Sequence, residues 1–316
     1  MIQPIKIGIS SCLLGNKVRY DGGHAHDRFI TQTLGLFARF VPVCPEVECG
    51  MSTPREAVRL VGDPENPRLV TQKGGEDKTG MMNTWIDQKI PRLEKEDLCG
   101  FIFKSRSPSS GLYRIRVYGD EGKVRKVGTG LFANAFTRTF PSIPVEEEGR
   151  LQDPKLREHF IERIFALQRW RNQLAEKRTV GGLVDFHTRN KLLILSHNQE
   201  IYRQMGKLVA HGKQMPVSDL FEQYEALFLK AMALKTTLKK HINVLQHIMG
   251  FFKRDLSGVE KQELLDILEQ YRAGYVPLIV PITLIKHYVL KYDQGWLKSQ
   301  TYLNPHPHEL KLRNYF

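Results

Sequence analysis

The periodicity of the apolar residues changes once along the chain, near Pro154, and that change restricts the fold more than any other feature. Before it, short β-type runs alternate with helical segments and with turns rich in glycine and proline, the pattern of an α/β domain. Ile5 to Ile9, Phe40 to Val43 and Gly100 to Phe103 read as strands. His26 to Phe40, Thr79 to Leu98 and Thr129 to Phe140 read as helices, the last stopped by Pro141. After Pro154 the β signals vanish, and Phe160, Ile161, Ile164, Phe165 and Leu167 mark a long helix to about Lys177 that Gly181 and Gly182 end. Further helices are predicted over 184–195, 198–211, 217–236, 238–254, 258–273 and 281–291. The sequence therefore predicts an α/β N-terminal domain with a parallel sheet over 1–152, followed by an all-α helical bundle domain over 153–316.

Each predicted strand of the first half runs into a turn that carries chemistry. Ser11-Cys12-Leu13-Leu14-Gly15 follows the first, Cys44-Pro45-Glu46 the second, and Lys104-Ser105-Arg106-Ser107-Pro108-Ser109-Ser110-Gly111 the third. In a parallel sheet all three converge on one end, where open α/β folds place their ligands. Four cysteines, at positions 12, 44, 49 and 99, are too few to serve as a disulfide framework for 316 residues. Their spacing alone is compatible with burial or with a metal site assembled from distant loops, Cys44 and Cys49 forming the one close pair. Cys99, between a helix and a strand, reads as a core residue.

Charge points the same way as size, toward a large acidic partner. The formal net charge is +13, and the excess is uneven: 22 basic against 18 acidic residues in 1–150, 25 against 16 in 151–316. Such a field favours polyanions, nucleic acid among them. Lys240, Asn243, His247 and Arg254 recur at helical spacing beside an apolar stripe of Val244, Ile248 and Phe251. The start of the chain has one lysine and then a strand-like run rather than a leader, and the apolar run from Tyr275 to Ile285 is broken by Pro277 and Pro281. The expectation is a cytoplasmic protein with no membrane partner.

Five ordered motifs, Ser10-Ser11-Cys12-Leu13-Leu14-Gly15, Arg19-Tyr20-Asp21-Gly22, Cys44-Pro45-Glu46, Pro54-Arg55 and Ser107-Pro108-Ser109-Ser110-Gly111, resemble the thiouracil desulfidase family. The resemblance implies a 4Fe-4S cluster held by three cysteines with one iron open, and places its ligands at Cys12, Cys44 and position 110. Position 110 is serine here, a poorer partner for iron–sulfur chemistry than a thiolate. That departure implies an engineered Cys-to-Ser change that leaves the enzyme impaired, a natural variant in which Ser110 or Cys49 fills in, or a site that has lost its cluster. Glu46 is the implied general acid/base, Ser107 a substrate-orienting or proton-relaying group and Asp21 a weaker catalytic candidate.

The second half resembles a helical domain fused to these desulfidases, through His241-Ile242-Asn243-Val244-Leu245-Gln246-His247-Ile248-Met249-Gly250, Val276-Pro277-Leu278-Ile279-Val280-Pro281 and Pro305-His306-Pro307-His308-Glu309-Leu310. The fused pair resembles the tRNA 4-thiouridine desulfidases, which convert 4-thiouridine to uridine and release sulfide without net redox change. On that reading tRNA is the partner, and Lys104, Arg106, Arg114, Arg116, Lys240, His247 and Arg254 are its RNA-binding residues. A desulfidase of free thiouracil or thionucleosides and a non-catalytic RNA-binding protein are the alternatives. His306 and His308 read as a proline-spaced loop packing on the bundle in preference to a second metal site.

Overall fold

The computed structural model describes residues 4–119 and 123–315. Their contacts divide the chain into two compact units, Met1–Phe160 and Ile161–Phe316.

In the first unit, β1 (Ile5–Ser10), β2 (Ala38–Val43), β5 (Gly100–Phe103) and β8 (Val145–Glu147) form a parallel sheet in the order β2-β1-β5-β8. Its central strands are buried on both faces, which is why IKIGIS and GFIF read as nearly continuous apolar runs. A second sheet, not anticipated as a separate layer, has the order β4-β3-β6-β7 and is built from β3 (Val58–Val61), β4 (Arg68–Thr71), β6 (Ile115–Tyr118) and β7 (Val124–Gly128). Helices α1 (Pro45–Glu48), α2 (Thr79–Glu94) and α3 (Leu131–Thr139) complete the unit. Phe101 packs on Phe103 and Phe136 with ring centroids 4.1 and 4.8 Å apart, joining the parallel sheet to α3; such pairs add about 0.5–1.5 kcal/mol each beyond the area they bury.

The predicted helix from His26 to Phe40 is corrected. One π turn at Phe29–Thr33 and a 3-10 turn at Leu34–Leu36 bury Ile30 and Leu34, and β2 then begins at Ala38. Pairing of Ala38 and Arg39 with Ile5 and Lys6 takes those residues into the ladder. The helix at Thr79 ends at Glu94, four residues before Leu98.

The second unit is all helical: the remainder of α4 (Pro154–Glu176), then α5 (Val180–His197), α6 (Gln199–Ala210), α7 (Val217–Ala233), α8 (Leu238–Phe251), α9 (Gly258–Arg272), α10 (Ile279–Lys291) and α11 (Gly295–Lys298). Trp170, Phe186, Tyr224 and Phe228 pack together in its core. Gly181 and Gly182 do not end a helix. They form the first turn of α5, where the Thr179 hydroxyl accepts the Gly182 N–H as N-cap. Phe251 is corrected too: it is 46% exposed and stacks on Trp296, while Val244 and Ile248 share the buried face of α8 with Ile242 and Leu245. Arg254 lies beyond the end of that helix.

Candidate functional site

Three adjacent parallel strands deliver their following turns to one pocket of about 480 Å³. After β1, a 3-10 turn carries Cys12 and closes on Gly15 at φ 93, the left-handed conformation in which a side chain is disfavoured; its N–H donates to the Cys12 carbonyl at 3.2 Å. After β2, Cys44 precedes Pro45 at the first position of α1, and the Cys44 N–H donates to the Glu48 carboxylate at 2.9 Å. After β5, the Lys104 N–H donates to Ser10 Oγ at 2.8 Å, tying the end of β5 to the end of β1. Cys12, Cys44, Glu46, Lys104, Arg106, Ser107 and Ser110 all line this pocket.

Glu46 is fixed from two sides. Its Oε2 accepts from Arg55 Nε at 3.1 Å and from Arg55 Nη2, and this pair is nearly buried. Its Oε1 accepts from Ser109 Oγ at 2.8 Å. Ser109 Oγ in turn lies 3.0 Å from Ser107 Oγ, and because the Ser109 proton is committed to Glu46, Ser107 is the donor of that pair. Ser107 Oγ also accepts the backbone N–H groups of Ser109 and Ser110 at 3.3 and 3.1 Å. The result is a directed chain from Ser107 through Ser109 to Glu46. Sequence reasoning gave Arg55 and Ser109 no catalytic role; the Pro54-Arg55 motif and the repeated serines were the available signals.

Other expected residues are placed differently. Asp21 does not line the pocket: it pairs with Arg19 at 3.5 Å, and the Gly23 N–H, donating to its carboxylate at 2.9 Å, helps hold it below the ordinary range, as in a turn. Cys49 also lies outside the pocket lining, its Sγ donating to the Glu46 carbonyl at 3.2 Å while it packs against the core. Cys99 is buried beside β5, as expected. Lys104 reaches the pocket but its Nζ is paired with Glu148, which also accepts from the Ser105 hydroxyl. Arg106, Arg114 and Arg116 are exposed. In the second unit, Lys240 Nζ donates to the Lys235 carbonyl at 2.7 Å, and His247 and Arg254 face solvent. The loop with His306 and His308 packs on the bundle, Arg169 Nη1 donating to the Pro305 carbonyl at 2.7 Å and His308 Nε2 lying 3.1 Å from Asn304 Oδ1.

The donor set itself tests the implied cluster. Burial pushes the Cys12 thiol up to about 11, with a smaller electrostatic contribution from Cys44, and burial also raises Cys44. Two thiols and the buried Ser110 line one pocket, so the donor set fits an iron–sulfur cluster with two soft donors and a hard hydroxyl as the third.

A parallel-sheet domain with a thiol-lined pocket at its carboxyl end, joined to a helical bundle, is the class of protein that this fold and site define. Residues 7–148 match the 2-thiouracil desulfurase family, and residues 191–307 match a family of proteins of unknown function, DUF1722. The uncharacterized protein YbgA of Escherichia coli (strain K12) is 35% identical over 153 residues, 48% of this chain and 90% of its own length. The uncharacterized protein YbbK of Bacillus subtilis (strain 168) is 31% identical over 108 residues, 33% of this chain and 71% of its own. Among solved structures, the [4Fe-4S]-dependent thiouracil desulfidase TudS is 29% identical and covers 47% of this chain and 94% of its own, with a TM-score of 0.39. The chain belongs to the 2-thiouracil desulfurase family, here fused to a second domain. No helix among the described residues is long and apolar enough to cross a membrane.

Proposed function

We propose that the protein is a tRNA 4-thiouridine desulfidase: thiocarbonyl plus water gives carbonyl plus hydrogen sulfide, with no change in electron count. The observation that carries the desulfidase reading is the meeting of Cys12, Cys44 and Ser110 with the Ser107–Ser109–Glu46 chain in one pocket. Cys12 and Cys44 would hold the cluster, with Ser110 at the third position. When bound, it supplies a Lewis acid for the substrate sulfur. The remaining work falls to the protein. Ser107 Oγ takes the proton of the attacking water as its own proton passes to Ser109 Oγ and from there to Glu46 Oε1. Arg55 keeps that carboxylate aimed at Ser109, and the same chain returns the proton to the departing sulfide. The excess positive charge of the whole chain supports tRNA over a free base as substrate.

Anaerobic purification of the protein beside Ser110→Cys, followed by iron, sulfide and 4-thiouridine measurements on tRNA, tests this. The cysteine variant is expected to hold more iron and to turn over faster. A variant that gains neither removes position 110 from the ligand set, and a protein that leaves 4-thiouridine in tRNA untouched removes the substrate assignment.

A further inference from the structure

Beside the cysteine pocket lies a larger cavity of about 1340 Å³, and the two share Val58, Gln72, Ser105, Arg106 and Pro108 on their walls. It exceeds the size that a free pyrimidine, or most small ligands, would need. Six cationic side chains line it: Arg59, Arg106, Arg114, Arg116, Lys126 and Arg150. The one lining carboxylate, Glu147, has an Oε1 that accepts the Leu112 and Tyr113 N–H groups at 2.7 and 3.2 Å, and burial raises its pKa.

Of these cations Arg150 is paired, its Nε 2.7 Å from the Glu146 carboxylate. Elsewhere Lys6, Arg55, Lys89 and Lys104 each have a carboxylate partner. Arg106, Arg114, Arg116 and Lys126 are exposed, and none is in an ion pair among the described residues. Arg106 and Arg114 adopt φ 60 and 54, a backbone region seldom used by side-chain-bearing residues, and they bracket the turn that carries Ser107 and Ser110. Tyr113 adds a 44% exposed ring with the Arg150 guanidinium 4.7 Å from its centroid. Four unpaired cations lining one cavity with an aromatic ring match a sugar–phosphate strand with its bases, whereas a single phosphate needs one or two of them.

We propose that this cavity is the phosphate track of a single-stranded polynucleotide segment whose target base enters the adjoining cysteine pocket. It deepens the tRNA reading above and rests on it: the first unit grips the strand next to the reacting nucleotide instead of leaving RNA binding to the helical unit. A base drawn from a stacked RNA needs its flanking phosphates held while it is out.

The test is fluorescence anisotropy of the full chain with a labelled, unmodified 12-nucleotide single-stranded RNA over a range of NaCl. Arg114→Gln, Arg116→Gln and Lys126→Gln combined should weaken binding at least about tenfold and reduce the salt slope by about 2, near 0.7 per lost phosphate contact on a single strand. Removing three cations elsewhere, Lys155→Gln, Lys207→Gln and Lys261→Gln, should change the affinity less than about twofold, the level expected where no phosphate contact is lost. Equal weakening by both sets would reduce the effect to net charge and overturn the track, as would a triple variant that binds like its parent. Displacement of the strand by equimolar uridine monophosphate would overturn it in favour of a mononucleotide site. Sulfur loss from tRNA and from free 4-thiouridine, followed separately in the parent, reports on the function: conversion of the free nucleoside alone defeats the tRNA reading, whereas conversion of tRNA with an unaltered triple variant defeats only the track.

Discussion

Ser109 Oγ joins the two groups most suited to proton transfer, Ser107 and Glu46. Replacing Glu46 is a blunt way to interrogate that chain, because the nearly buried Arg55 would lose its carboxylate; breaking such a pair costs roughly 3–5 kcal/mol. Ser109→Ala removes only the hydroxyl between Ser107 and Glu46. The expected outcome is a fall in turnover of about 10²-fold, in the range of a lost general acid–base step, with iron content unchanged. Equal turnover in Ser109→Ala would show that protons reach the solvent by another route, and iron lost along with activity would make the serine a structural support of the turn.

That turn is held in place by a helix end. Gly130 caps α3, its N–H donates to the Gly111 carbonyl at 2.8 Å, and the Leu131 and Phe132 N–H groups donate to the carbonyls of Pro108 and Ser109 at 3.2 and 2.9 Å. A Cβ on residue 130 would stand 2.5 Å from the Ser109 carbonyl carbon and 2.7 Å from the Ser110 nitrogen, backbone atoms that cannot swing away. Gly130→Ala should therefore cost roughly 1–3 kcal/mol, as overpacking does, lower the melting temperature, and shift Ser110 enough to reduce retained iron. An unchanged melting temperature would mean that the turn yields freely. These elements differ in how far the sequence disclosed them. Strands β1 and β5 were legible because a strand buried on both faces writes a nearly uninterrupted apolar run, β2 by its short Phe40 to Val43 run ahead of Cys44, and the helices of the second unit because their stripes persist for several turns. The second sheet was not, since β7 is exposed over Val124 to Val127 and carries no alternation to read. Nor was the approach of Gly130 to Ser110, or the pairing of Arg55 with Glu46: contacts made by turns, outside the repeat of any one helix or strand, leave no spacing signal.

Over the whole molecule, the buried histidines of the helical unit set a pH limit on stability. Burial pushes His187 down to about 4, His241 to about 3 and His306 to about 4, below the ordinary value of 6.5. His187 Nδ1 and His241 Nδ1 lie 3.2 and 3.0 Å from the hydroxyls of Tyr224 and Tyr302, neutral partners that suit a neutral imidazole. Between pH 6.5 and about 4 the unfolded chain binds protons that the folded chain refuses, so stability is fully present above 6.5 and is lost as the pH falls. Glu162 acts in the same sense: burial opposes its charge, but His197 Nε2 at 2.7 Å and Arg313 outweigh that and hold its carboxyl well below the usual range, so its contribution is lost below 4.5. Each fully suppressed histidine contributes at most about 1.4 kcal/mol per pH unit, so His187 and His241 together give a slope of up to roughly 3. Calorimetry of the full chain from pH 7.5 to 4.5 should show the melting temperature falling progressively below pH 6.5, and His241→Gln, which keeps a polar group opposite Tyr302 without a titrating ring, should flatten part of that slope. A melting temperature that stays level from pH 7 to 5 would mean that these imidazoles accept protons inside the fold, and that water reaches a core which their packing shows as closed.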